Sequence, residues 1–168
     1  PGFFIWEEWA KEYYKTKGYK IKNKDVLLRD YMAKGYSKER YFGEASTHYT
    51  LSHRTIDFRI PEKVFSYNKN IKIIYIIRNP LNRIVSAYKN YNTKNGDINS
   101  EIIRDKSLLW TSQYYKQIIH WINIFPKQNI KLILFEELIQ DPMRICSEVL
   151  DFLKLKEENT LKLIHSNK

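Results

Sequence analysis

The sequence predicts an α/β protein built around a parallel sheet. Two apolar runs, residues 72–77 and 130–135, are continuous rather than alternating, which is typical of strands covered by helices on both faces. Helix-start signals follow both runs, and the alternation of strand and helix favours a parallel sheet. Ligands of such folds bind at the carboxyl ends of the strands, so the residues that follow each run are the candidates for a site.

Local signals place the elements around these strands. Aromatic residues at helical spacing predict a first helix that ends at Gly18, and a second short helix is predicted to end at Gly35. Residues 40–44 predict a short strand. Residues 107–125 predict one long amphipathic helix between the two main strands.

Proline and aspartate mark the starts of three other predicted helices. Proline is favoured in the first helical turn, and it begins the predicted helices 61–67 and 80–91. Asp141 is a good N-cap and Pro142 follows it, so a last helix is predicted from there through 143–153.

The composition indicates one globular domain. The chain has 168 residues, of which 43% are hydrophobic and 15% aromatic, and this excludes a disordered chain. Its single cysteine, Cys146, excludes an internal disulfide framework and a Cys-rich zinc module.

The net charge of +10 suggests an anionic ligand but does not identify one. The 21 Lys and 8 Arg residues are scattered along the chain, whereas a nucleic-acid binder concentrates them on one face. We therefore expect no nucleic-acid partner. Part of the charge is equally well explained as a compositional bias of the source.

Arg78 is the candidate anion ligand, because it stands where the first buried strand gives way to a helix. The N-terminus of a helix favours an anion, and the planar guanidinium can hold a phosphate with two hydrogen bonds. Ser86, on the second turn of that helix, could donate one more hydrogen bond. The alternative is that Arg78 pairs with a carboxylate and Ser86 faces backbone.

The segment from Lys72 to Tyr88 resembles the 3′-phosphate-binding motif of the sulfotransferase superfamily. That motif is an apolar strand followed by R-[ND]-P-x-x-R-x-x-S-x-Y, and every fixed position is present. Three further stretches resemble family segments in the same order: residues 43–49, residues 61–68, and several short motifs between residues 114 and 153. The series covers almost the whole chain and is most like the sulfotransferases that act on carbohydrate, such as heparan sulfate.

The resemblance implies a P-loop-like three-layer α/β/α fold with a central parallel sheet. It implies an enzyme that transfers a sulfuryl group from 3′-phosphoadenosine 5′-phosphosulfate (PAPS) to a hydroxyl or amine of a carbohydrate-like acceptor, without a metal. Arg78 and Ser86 would bind the 3′-phosphate of the donor. Asn79, Pro80 and Arg83 would shape the turn and the helix, Arg83 through an ion pair. Three aromatic residues would lie in the core: Tyr114, Trp121 and Phe152.

Parts of the family's active site are expected outside these residues. The loop for the 5′-phosphosulfate would precede the chain, and the expected catalytic Glu would stand immediately before Pro1. A loop over the 3′-phosphate would follow Lys168. Residues 1–168 are therefore predicted to be a partial sulfotransferase domain. Two further positions depart from the family. Some relatives carry a basic residue where Ala45 stands, and Thr47 replaces the usual proline.

Glu44 and His48 are the candidates within the chain to line the acceptor cleft, because they follow the end of a predicted strand. The alternative is a solvated histidine and a glutamate bonded to backbone. Two other functions also stay open, a P-loop nucleotide kinase or NTPase and a catalytically inactive polyanion-binding relative. We predict no membrane segment in the chain, and either a bacterial cytoplasmic location or, for a eukaryotic source, the Golgi lumen. The acceptor and the oligomeric state are not predicted.

Overall fold

The computed structural model describes residues 43, 45, 47–50, 59–91, 97–104 and 106–155. The described elements, besides 3₁₀ helices at Thr47–Thr50 and Lys127–Asn129, are α1 (Ile60–Tyr67), β1 (Ile73–Ile77), α2 (Pro80–Tyr91), α3 (Ile98–Arg104), α4 (Ser107–Trp110), α5 (Tyr114–Ile124), β2 (Ile130–Leu134), α6 (Phe135–Gln140) and α7 (Pro142–Leu153). The helices predicted to end at Gly18 and Gly35 lie outside the described residues. Of the strand predicted at 40–44, only Gly43 is described, and it is not in a strand.

The two described strands pair in parallel, which confirms the α/β prediction. The register runs from Ile73 opposite Ile130 to Ile77 opposite Leu134. Because the strands are parallel and in step, both end at the same edge of the sheet. The residues that follow Ile77 and Leu134 are therefore neighbours in space.

Helices lie on both faces of this sheet and give it three layers. Tyr75 of β1 donates a hydrogen bond to Gln117 of α5 on one face. Tyr75 is paired with Leu132, so both side chains point to this face. Successive strand residues point to opposite faces, and Lys131 therefore points to the other face of the sheet. There its Nζ lies 3.1 Å from Glu148 Oε2 of α7. This hydrogen bond, with a further one from Arg144, holds the pKa of Glu148 below its usual range.

The main core lies between α1, α5 and the α5 face of the sheet. Its buried members are Ile60, Val64, Tyr75, Ile118, Trp121 and Phe125. Burial, the largest cause, raises the pKa of Tyr75 above its ordinary value of 10.0, and its hydroxyl donates to Gln117. A second, smaller cluster joins Ile84 and Ala87 of α2 to Leu108 of α4.

The two strands are less covered than their apolar sequences predict. Ile74 and Ile76 of β1 are 39% and 48% exposed, and only Tyr75 of that strand is buried. In β2 only Ile133 is buried. The reason is a diagonal arrangement, in which α5 covers β1 on one face and α7 covers β2 on the other. Each described strand is thus more buried on one face than on the other.

The prediction of one helix over residues 107–125 was wrong, because α4 and α5 are separated by a turn at 111–113. Two hydroxyls end the first helix by bonding back to its carbonyls. Thr111 Oγ1 donates to the carbonyl of Ser107 at 2.7 Å, and Ser112 Oγ donates to that of Leu108 at 3.0 Å. Side chains of this kind compete with the helical backbone for its hydrogen-bond partners.

The helix starts marked by proline are confirmed. Pro61 lies in the first turn of α1, and Pro80 begins α2. Asp141 caps α7, where its Oδ1 accepts the backbone N–H of Arg144 at 3.0 Å. Among the helices in the described part of the chain, none is both long and apolar enough to cross a membrane.

Candidate functional site

Arg78 and Phe135 meet at the edge of the sheet where both strands end. Arg78 follows β1 directly, and Phe135 follows β2. The Arg78 guanidinium lies over the Phe135 ring, with Cζ 4.9 Å from the ring centroid. Such a contact holds a cation in place without neutralising it. No carboxylate of the described residues lies within ion-pair distance of Arg78, so the alternative that it serves a structural ion pair finds no partner there.

The backbone after β1 is tied to both neighbouring elements. The N–H of Arg78 donates to the Tyr114 hydroxyl of α5 at 3.4 Å, and the N–H of Asn79 donates to Glu136 Oε1 of α6 at 2.9 Å. The bond from Asn79 is the main reason that the pKa of Glu136 lies below its usual range, and the charge of Arg78 adds to it. The backbone from which the Arg78 side chain leaves is thus held by contacts from two other elements.

Asn79 is the N-cap of α2, as its place before Pro80 predicts. Its Oδ1 accepts the N–H groups of Leu81 at 3.1 Å and Asn82 at 3.2 Å. Its carbonyl accepts the N–H of Arg83 at 2.9 Å, the first bond of the helix. By accepting these N–H groups of the first helical turn, Asn79 stabilises the turn between β1 and α2, as the sequence predicted.

An open groove of about 310 Å³ runs along one face of α2 from Arg78. Six residues line it: Arg78, Asn82, Val85, Ser86, Lys89 and Asn90. The groove therefore unites Arg78 and Ser86, the two residues that the sequence proposed as phosphate ligands. Its lining carries two cations and no carboxylate, and this positive charge favours an anionic ligand. The motif did not point to Lys89, although its position three residues after Ser86 was a usable signal.

Arg83 has the structural role that the sequence predicted, but through other partners. The prediction was an ion pair, whereas its Nη1 donates to the Leu108 carbonyl at 3.3 Å, to Ser112 Oγ at 3.2 Å and to Thr111 Oγ1. The guanidinium thus donates hydrogen bonds to oxygen atoms of the turn that ends α4. Its partners are neutral oxygens because that turn exposes a carbonyl and two hydroxyls toward α2.

The remaining predicted residues are the two candidates for the acceptor cleft and the three aromatic residues expected in the core. Glu44 lies outside the described residues, and His48 is described only as part of the 3₁₀ helix Thr47–Thr50. Trp121 is a core residue, 4% exposed, as predicted. Tyr114 packs against that core and turns its hydroxyl toward Arg78. Phe152 is half-buried beneath the ammonium of Lys72, which lies 5.0 Å from its ring centroid.

Metal ligands do not gather in this part of the molecule. Within the described ranges, no three His, Cys, Asp or Glu side chains lie close enough together to hold a metal ion.

The solved structure of a sulfotransferase from Alicyclobacillus acidocaldarius has the same fold. The superposition has a TM-score of 0.67 at 22% sequence identity and covers 87% of this chain and 64% of that one. It places the two described strands and their helices in a three-layer α/β arrangement of the P-loop-like kind.

Similar sequences carry the same family name. Human heparan sulfate glucosamine 3-O-sulfotransferase 3B1 is 32% identical over 120 residues, which cover 64% of this chain and 31% of that protein. Luciferin sulfotransferase of Photinus pyralis is 26% identical over 125 residues, which cover 70% of this chain and 33% of that protein. The chain spans about a third of the length of these curated relatives.

The family model of the sulfotransferase domain matches residues 12–167, nearly the whole chain. The matched region includes the strand, the turn at Arg78 and the helix with Ser86. On the strength of that match, the chain belongs to the sulfotransferase domain family.

Proposed function

We propose that this protein transfers a sulfuryl group from PAPS to a hydroxyl or amine of a carbohydrate-like acceptor. The observation that carries the proposal is the groove in which Arg78 and Ser86 meet at the carboxyl edge of the sheet. Family membership favours sulfotransfer over the nucleotide-kinase alternative.

The groove has the chemistry that a nucleotide 3′-phosphate requires. The phosphate carries about −1.5 to −2 charge at neutral pH and offers three acceptor oxygens. Arg78 supplies a planar fork of donors, and its contact with Phe135 leaves its charge available. Ser86 is half-buried on the same face of α2, where its hydroxyl can donate to the same phosphate.

In the proposed reaction, the acceptor oxygen or nitrogen attacks the sulfur of PAPS in line with the bond to the 5′-phosphate. The new bond to sulfur forms as that sulfur–oxygen bond breaks, and adenosine 3′,5′-bisphosphate leaves. A base takes the acceptor proton. The role of Arg78 and Ser86 is to fix the nucleotide through its 3′-phosphate, so that the sulfur is aligned when the acceptor arrives.

The remaining parts of the mechanism are proposed for residues whose side chains the structure does not describe. We propose a Glu immediately before Pro1 as the base, and Glu44 and His48 as residues of the acceptor cleft. A carbohydrate acceptor is supported by the relatives named as heparan sulfate glucosamine 3-O-sulfotransferases. The family also includes an enzyme named for luciferin, so the acceptor class needs its own assay.

Calorimetric titration of the full-length protein with adenosine 3′,5′-bisphosphate tests the proposed site. Arg78→Ala is expected to weaken binding by roughly 1.5–3 kcal/mol, the scale of a hydrogen bond to a charged group. Arg104→Ala, which changes an exposed arginine of α3 outside the groove, is the matched control. The wild type is also expected to prefer the bisphosphate over adenosine 5′-monophosphate. Equal affinities for the wild type and Arg78→Ala would overturn the proposed site.

Transfer of radiolabelled sulfate from PAPS to a panel of glycans tests the reaction itself. Labelling of a glycan that disappears with Arg78→Ala would support it. Tight binding of the bisphosphate with no transfer to any acceptor would instead identify a catalytically inactive relative.

A further inference from the structure

We propose that Lys89 is a second cationic ligand of the 3′-phosphate, and that it makes the groove selective for a phosphomonoester dianion. The inference rests on the proposed function, because it concerns the phosphate assigned above to Arg78 and Ser86. It adds a residue that the R-[ND]-P-x-x-R-x-x-S-x-Y motif does not contain.

Helix geometry places Lys89 beside Ser86. Residues three apart on a helix are surface neighbours, with Cβ atoms about 5–6 Å apart. Each Cα–Cβ bond of a helix tilts toward the N-terminus, so the Lys89 stem leaves α2 in the direction of Ser86 and Arg78. Consistent with this, Lys89 lines the groove together with both residues.

Arg78 and Lys89 are the two charged residues in the described lining of the groove, and both are cations. A phosphomonoester carries up to two negative charges at neutral pH. Arg78 contributes one positive charge, and the other lining residues apart from Lys89 are neutral: Asn82, Val85, Ser86 and Asn90. The Lys89 ammonium therefore supplies the second charge that a dianion needs.

Lys89 has no competing carboxylate in the described part of the chain. The ion pairs formed there engage other cations: Arg59, Arg104, Lys131 and Arg144. A lysine already paired with a carboxylate would have to break that pair before it could bind a phosphate. Lys89 meets no such requirement within the described residues.

A purely structural role makes a different prediction. Lys89 lies in the last turn of α2, where a cation is favoured by the negative end of the helix dipole. If that were its only role, neutralising Lys89 would lower the melting temperature slightly and leave nucleotide discrimination unchanged.

The test compares adenosine 3′-monophosphate with adenosine 5′-monophosphate as ligands of the full-length protein. Lys89→Met is expected to weaken binding of the 3′-monophosphate roughly twofold to fivefold, the scale of one solvated ionic contact, and to leave the 5′-monophosphate unchanged. Lys89→Arg is expected to restore affinity for the 3′-monophosphate. Lys127→Met is the control, because Lys127 precedes β2 and so lies at the opposite edge of the sheet.

Each result decides the inference separately from the proposed function. A loss confined to the 3′-monophosphate that Lys89→Arg reverses supports it. No loss, or an equal loss for both nucleotides, overturns it, and so does a lower melting temperature without a change in discrimination. If Arg78→Ala has no effect on the bisphosphate, the proposed function itself fails. If only Lys89→Met has no effect, the second ligand alone is rejected.

Discussion

The guanidinium of Arg78 lies over the aromatic ring of Phe135, 4.9 Å from its centroid, at the edge where both strands end. The contact follows from the register of the sheet, since Ile77 and Leu134 are partners and these are the residues after them. Phe135 thus orients the proposed phosphate ligand and leaves its hydrogen-bond donors to the groove.

Phe135→Leu is expected to weaken binding of adenosine 3′,5′-bisphosphate about twofold to fivefold, because an exposed cation–π contact contributes about 0.5–1 kcal/mol. Leucine keeps an apolar side chain of similar size, so the loss comes from the missing ring. Titration calorimetry measures it, and Phe135→Tyr, which keeps the ring, serves as the control. Equal affinities for the leucine and tyrosine variants would show that the ring does not position Arg78.

Glu136→Gln is expected to change the pH dependence of stability. The pKa of Glu136 is lowered, chiefly by the N–H of Asn79, so the carboxylate stabilises the folded state above its ordinary pKa of 4.5. That stabilisation is lost as the pH falls from there through the lower pKa of the folded state. Melting temperatures at pH 7 and pH 3 measure the effect.

The wild type is expected to melt above the Glu136→Gln variant at pH 7, and the gap is expected to narrow at pH 3. Glutamine can still accept the Asn79 N–H, so the difference isolates the charge. A gap of the same size at both pH values would contradict a role for the ionised carboxylate.

Arg83→Met is expected to destabilise the fold by about 1.5–3 kcal/mol, since it removes charged hydrogen bonds from the turn that ends α4. Urea unfolding measures the loss. At a temperature where the variant is folded, its affinity for adenosine 3′,5′-bisphosphate should stay within twofold of the wild type. A tenfold loss of affinity at unchanged stability would instead make Arg83 a ligand.

The part of the fold that the sequence predicts well is the part set by local chemistry. Proline in the first turn and Asp141 as a cap determine where α1, α2 and α7 begin, whatever packs around them. The strand β1 and the position of Arg78 follow from an apolar run and the Asn79-Pro80 turn that ends it. That Arg78 and Ser86 line the same groove was likewise predictable, because one strand and one helix place both.

Long-range contacts explain what the sequence does not predict. The break between α4 and α5 depends on two hydroxyls that bond backward, and Arg83 of a distant helix reinforces that turn. The contact of Arg78 with Phe135 depends on the register in which two strands pair, and these strands are more than fifty residues apart in the chain. Lys89 lines the groove because it lies one helical turn after Ser86, a position that the motif does not include.

Gln117→Leu is expected to destabilise the protein by about 1–3 kcal/mol, because it removes two hydrogen bonds of a buried amide. Gln117 is 2% exposed, accepts the Tyr75 hydroxyl and donates to the Trp110 carbonyl at 3.0 Å. It thereby fixes α5 to the sheet and to the end of α4. Thermal and urea unfolding measure the loss.

Gln140→Leu, at the exposed end of α6, is the control and should change stability by no more than about 0.5 kcal/mol. In the double variant with Tyr75→Phe, the hydroxyl that lost its acceptor is gone, so part of the stability lost in Gln117→Leu should return. If the two substitutions instead add without any recovery, the bond between Tyr75 and Gln117 contributes nothing to stability, and the tie between α5 and β1 must rest on apolar packing alone.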